Sequence, residues 1–147
     1  MAWIIPAESD VLTALSETEL ATYRAAALAA GQLDPLAPTL AQVVDLVRGY
    51  VGAYKPNSLG LPGTIPQKLL APALDLVVVR IPQRVGVPPK DVRQAAAANA
   101  IRLFEQVAAG TFNIEEPDSF TLETTEAPSP SIVGNCRLFT RCSEEGV

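Results

Sequence analysis

The apolar positions of this chain recur mostly at helical spacing. Glu8-Ser9-Asp10-Val11-Leu12-Thr13-Ala14-Leu15 reads as a short helix. Ser16 and Glu19 then make a capping-box pair, since each side chain can reach the other's free backbone N–H. The helix they open carries Leu20, Tyr23 or Arg24, Ala27 and Leu28, and Gly31 stops it. Asp34-Pro35-Leu36-Ala37-Pro38 reads as a turn. From Thr39 onward, Leu40, Val43, Val44, Val47 and Val51 form an amphipathic stripe, and that helix ends near Tyr54 because Lys55-Pro56 cannot continue it. Pro56 to Pro66, rich in proline and glycine, is expected to be an irregular loop.

Pro66 is placed to open the next helix at its first position. Gln67 to Ile81 is apolar nearly all round, through Leu69, Leu70, Ala73, Leu74, Leu76, Val77, Val78, Val79 and Ile81, so it belongs at the centre of a bundle. The valine run also suits a buried strand, and Pro72 is expected to kink a helix. Helix is favoured because no second strand signal lies nearby to pair with it. Lys90 to Ala109 carries the clearest helical pattern, with Val92, Ala96, Leu103 and Val107 on one face and Ala97, Ile101, Phe104 and Ala108 on a neighbouring one. The alanines at 95–98 favour helix and permit close packing, and Gly110 closes the element.

The remainder changes character. From Leu103 through Cys136 the charged residues are all acids (Glu105, Glu115, Glu116, Asp118, Glu123 and Glu126). Ala127-Pro128-Ser129-Pro130-Ser131 reads as a spacer, followed by Cys136-Arg137-Leu138-Phe139-Thr140-Arg141. The expected architecture is mainly α: a compact bundle of four to five helices over residues 1–110, with an extended, weakly β C-terminal arm over 111–147.

Composition narrows the function. Apolar residues are 48% and charged residues 18% of 147, which suits one globular domain with a real core. The net charge of -5, without any Lys/Arg cluster, argues against a protein that grips nucleic acid through its phosphates. The start, Met1 to Pro6, lacks a basic region and a long apolar run, and the apolar stretch at Leu69–Val79 is too short to cross a bilayer. A soluble protein made in a cytoplasm is expected, with Cys136 and Cys142 as free thiols.

Histidine is absent, which removes every His-dependent triad and the facial metal triad. Phosphate-cradling glycine loops are missing as well; Gly60-Leu61-Pro62-Gly63 neither follows a strand signal nor precedes a Lys-Ser pair. The sequence therefore predicts no enzyme, no catalytic residue and no cofactor or metal site. Glu115, Glu116 and Asp118 could hold a hard cation, but they lack calcium-loop spacing and read better as a solvated acidic loop. Asp75, inside the most apolar segment, reads as a carboxylate paired with Arg80 or another arginine, or capping a neighbouring helix, rather than as a catalytic acid. Tyr50 and Tyr54 share one helix face and read as core or interface residues, and Trp3 as an anchor for the N-terminal arm.

In order along the chain, several segments resemble the small head-to-tail connector proteins of tailed bacteriophages and Mu-like prophages. They are the acidic N-terminal helix Glu8 to Leu15, then Gly49-Tyr50-Val51-Gly52-Ala53-Tyr54-Lys55, and a proline-rich loop. Leu69-Leu70-Ala71-Pro72-Ala73-Leu74-Asp75 to Arg80 follows, then Val92-Arg93 through Leu103 to Gly110, and finally Arg137-Leu138-Phe139-Thr140-Arg141. The resemblance implies a structural virion protein of the neck. Copies would form a ring, typically of twelve, docked on the portal protein and offering a platform to the tail or a stopper protein. DNA would pass through the channel without specific binding, and no membrane would be involved. On that reading Arg137, Leu138, Phe139, Thr140 and Arg141 tip an arm that reaches a partner, and Glu115, Glu116 and Asp118 face the channel.

The main alternative is a helical adaptor or regulator outside the virion that acts through protein–protein contacts. A metal-assisted hydrolase built on the acids near Glu115 is a more remote one.

Overall fold

The computed structural model describes residues 3–117, and these form a mainly helical bundle. In chain order the elements are β1 (Trp3–Ile4), α1 (Glu8–Ala14), α2 (Glu17–Ala29), α3 (Leu36–Ala53), β2 (Ile65–Pro66), a single 3-10 turn (Gln67–Leu69), α4 (Leu70–Arg84) and α5 (Asp91–Ala108). Residues 1–2 and 118–147, the latter most of the arm expected over 111–147, lie outside the described residues.

α4 is the hub, as its nearly uniform apolar surface requires. It packs against α5, α3 and α1, and buries Ala73, Leu74, Leu76, Val77, Val78, Val79 and Ile81. From α3 come Val43, Val44, Val47 and Val51, and from α5 Ala97, Ala100, Phe104 and Val107. Each large side chain taken fully from water contributes about 1.5–3 kcal/mol. Phe104, at 0% exposure, is the largest of them.

Local chemistry sets the ends. Asp10 Oδ2 accepts the Ala7 N–H at 2.8 Å and fixes the start of α1. Ser16 Oγ accepts the Glu19 N–H at 3.3 Å, capping α2. α3 begins three residues earlier than the stripe suggests. Asp34 Oδ1 takes the Leu36 N–H at 3.0 Å, and Pro38 falls in the first turn, where its missing N–H has no intrahelical partner to lose. α5 closes on Gly110 at φ +74, with Thr111 N–H on Gln106 O and Gly110 N–H on Val107 O, both 3.0 Å. This left-handed exit is the Schellman pattern, and α2 and α4 end on the same one.

Several expectations need correction. Pro66 pairs in β2, with Trp3 opposite Pro66 and Ile4 opposite Ile65, and it caps the 3-10 turn from one residue before it instead of standing at the first helical position. Pro72 is the third residue of α4 and costs it no hydrogen bond. The proline inside the helix is Pro82, in the last turn, which leaves the Val78 carbonyl without its usual donor. Val92 is 82% exposed and so lies off the packed face of α5.

Candidate functional site

Three surface features stand out, two of them along the hub helix. On the seam between α4 and α5, a cleft of about 310 Å³ is lined by Ala71, Pro72, Asp75, Ala96, Asn99, Ala100 and Leu103. Asp75 is half-buried there, and burial pushes its carboxyl above the ordinary Asp value. Its expected arginine partner is not supplied by Arg80. Five residues turn a helix by about 140° from Asp75, and Arg80 lines the seam between α4 and α3 instead. Among the described residues no ion pair or side-chain hydrogen bond reaches Asp75. Small alanines around it leave room for a long side chain to enter.

On the α3 side of α4, a second cleft holds Thr39, Gln42, Arg80, Gln83 and Arg84. Arg80 and Arg84 stand one helical turn apart, and among the described residues neither is in an ion pair. The cations that are paired lie elsewhere. Arg93 and Lys90 meet Glu19 at 2.9 and 3.7 Å, Arg24 meets Glu8 and Asp34 at 2.9 and 3.1 Å, and Lys68 meets Glu115 at 3.7 Å. These contacts are felt by the acids: the Arg93 hydrogen bond holds Glu19 below its ordinary pKa, with the Arg93 and Lys90 charges adding to it. Asp34 is held low first by the Leu36 N–H and then by Arg24.

The third feature is built on Trp3. Its indole Nε1 donates to the Glu115 carbonyl at 3.0 Å, and the Arg48 guanidinium lies 5.9 Å from the ring centroid. Gly60 sits beneath the ring; a Cβ there would come within 2.8 Å of it. Arg48 reaches from α3 into the proline-rich loop and donates to the carbonyls of Leu61 and Thr64, both at 2.7 Å, and of Gly60 at 3.1 Å. Trp3 thus joins the N-terminal strand, the loop and the chain leaving α5. Beside it, Trp3, Ile4, Ile5, Gly60, Leu61, Thr64 and Pro117 line an apolar groove of about 470 Å³.

The residues singled out in the sequence divide as follows. Tyr50 stacks on Phe104 at 5.9 Å between centroids and packs against the core, while Tyr54 lies over Gly110. Glu115 is turned into the body: its Oε1 meets Lys68, and its Oε2 is buried with no hydrogen-bond partner among the described residues. Glu116 is exposed, in a polar cleft with Tyr54, Pro56, Asn57, Ser58 and Asn113. Asp118 and Arg137-Leu138-Phe139-Thr140-Arg141 lie outside the described residues, as do Cys136 and Cys142. Among the described residues, no three His, Cys, Asp or Glu side chains are grouped to hold a metal ion, and no helix is long and apolar enough to cross a membrane.

Arg48 was not foreseen, because a lone arginine flanking a valine stripe looks like an ordinary solvent-facing residue. The spacing of Arg80 and Arg84 is visible in the sequence, but which neighbours they lack is not. The chain matches no family model, no curated protein and no solved structure.

Proposed function

We propose that this chain is a structural assembly subunit, and that it forms a ring joining the head of a tailed phage to its tail. The phage setting comes from the resemblance of its sequence segments to connector proteins. The observation that carries self-assembly is the charge arrangement about α4. One seam offers a desolvated carboxylate, Asp75, and the other a guanidinium pair, Arg80 and Arg84, all without ion-pair partners among the described residues. Two different, complementary patches on one chain suit a head-to-tail contact between copies, and such contacts close into rings when the rotation allows.

In this reading the ring docks on the portal, the arm tipped by Arg137 to Arg141 reaches the portal or the next subunit, and the tail or a stopper binds the other side. Of the two described acids assigned to the channel, Glu116 is exposed, whereas Glu115 is engaged with Lys68. Lysine at Glu115, Glu116 and Asp118 should hinder DNA passage, and unchanged retention and ejection would remove these acids from the channel.

Mass measurement in solution, alone and with a portal protein, tests the whole reading. A ring that forms by itself or on the portal supports it, and a stable dimer indifferent to any portal favours an adaptor outside the virion instead. The seam contact has its own test. Asp75→Arg alone, or Arg80→Asp with Arg84→Asp, should reduce assembly about tenfold or more, and the combined variant should regain most of it. Assembly insensitive to all three would show that the seams are not the contact.

A further inference from the structure

We infer that the cleft between α3 and α4 binds a phosphate group, free or carried by a small molecule, through the guanidiniums of Arg80 and Arg84. The cleft, about 510 Å³, is lined by Thr39 and Gln42 from α3 and by Arg80, Gln83 and Arg84 from α4. On each helix these residues stand three or four apart, so both helices turn one face to the same space. Among the described residues, neither guanidinium is in an ion pair or a hydrogen bond, and neither glutamine amide has a side-chain partner. Thr39 is engaged already: its hydroxyl donates to the Pro35 carbonyl at 2.6 Å, so it is a wall of the cleft. Arg24, Arg48 and Arg93, by contrast, all meet carboxylates or carbonyls. The chain has 16 acids against 11 bases, yet none of the described acids lines this cleft.

Converging donors without an acceptor select a ligand that only accepts. Each guanidinium offers a planar fork that takes two oxygens at once. A carboxylate has oxygens for one fork and charge for one guanidinium. A phosphate monoester carries about two negative charges and about three acceptor oxygens, enough to face both forks and the Gln42 and Gln83 amides. Two like charges one helical turn apart also repel each other, and a dianion between them removes that cost. The net charge of -5 favours a compact ligand over a nucleic-acid backbone, because a polyanion would meet the surrounding acids as well. The same arginines are those assigned above to Asp75 of a neighbouring copy. A phosphate in the cleft would compete with that contact and hold subunits apart. That consequence rests on the ring reading, and the binding itself does not.

Titration of the full-length protein with inorganic phosphate and with acetate, at constant ionic strength, tests the site through the side-chain amide signals of Gln42 and Gln83. Phosphate should shift them saturably, at a concentration about tenfold or more below that needed with acetate. Arg80→Gln with Arg84→Gln should abolish the saturable shift, and Arg102→Gln, on α5, should leave it unchanged. Arg84→Lys keeps the charge without the fork and should weaken phosphate about threefold or more, a readout that stands if the double variant does not fold. Asp75→Asn removes the carboxylate of the proposed subunit contact and should bind phosphate at least as well as the wild type. No binding by that variant overturns the site, however the subunits assemble. Acetate binding as tightly as phosphate, or phosphate binding as tightly to Arg84→Lys as to the wild type, also overturns it. So does a short DNA duplex that binds there more tightly than phosphate, by making a backbone the ligand.

Discussion

Arg48 holds a loop that has no regular structure of its own. Its guanidinium fork meets three carbonyls whose geometry a lysine cannot match, because an ammonium has no planar set of donors. Arg48→Lys is therefore expected to cost about 1–2 kcal/mol and Arg48→Ala about 2–4 kcal/mol, read by chemical denaturation, with faster amide exchange confined to residues 56–66. Equal stability in all three proteins would show that the loop holds itself.

The acids at residue scale act on stability with opposite signs. Glu19 and Asp34 have lowered values, so what they contribute is present above their ordinary values of 4.5 and 3.8 and is lost as the pH falls through the lowered ones. Glu19→Gln should cost at most about 1 kcal/mol at neutral pH, because the pair with Arg93 is only partly screened from solvent, and the difference should fade in acid. Asp75 is raised, so its favourable state is the protonated one below 3.8, and stability is given up as the pH rises through the raised value. Asp75→Asn is thus expected to raise the melting temperature of the free subunit at neutral pH, with the gain vanishing in acid. A melting curve lowered at neutral pH would mean that Asp75 has a partner within its own chain.

At the scale of elements, packing of α5 on α4 dominates. Phe104→Ala should cost about 3–5 kcal/mol, since the cavity it leaves lies between helices that cannot collapse independently. Gly110→Ala combines a left-handed backbone with a collision against the Tyr54 ring, and should cost about 1–3 kcal/mol by the same denaturation measurement. Helical spacing made the four long helices readable, because each buries one continuous stripe or, in α4, nearly its whole circumference. Boundaries were less readable where an acid does the capping from outside the stripe, as Asp34 does for α3. The β1–β2 pair left no sequence signal, since two residues per strand are too few to show alternation. The groove and the seams were likewise invisible, because they depend on which side chains the fold leaves without neighbours.

Across the whole molecule the attachment is uneven. α3, α4 and α5 share one core, whereas α2 buries only Leu20 and Ala27 in full and leaves Leu28, and Leu33 just beyond it, at 76% and 87% exposure. Besides Leu20, Ala27 and the partly buried Tyr23, ion pairs hold α2: Glu19 to Arg93 at one end, and Arg24 to Glu8 and Asp34 further along. Ion pairs of this exposure weaken within a few ångströms of added screening, since the Debye length falls from about 10 Å at 0.1 M salt to about 3 Å at 1 M. α2 is therefore the natural first unit to open, while the three-helix core stays closed. Its amides should exchange faster as salt is raised, with those of α4 unaffected. An opened α2 uncovers part of the α1 and α5 surfaces without unfolding the protein, so ionic strength becomes a control on which faces of the subunit are available to a partner.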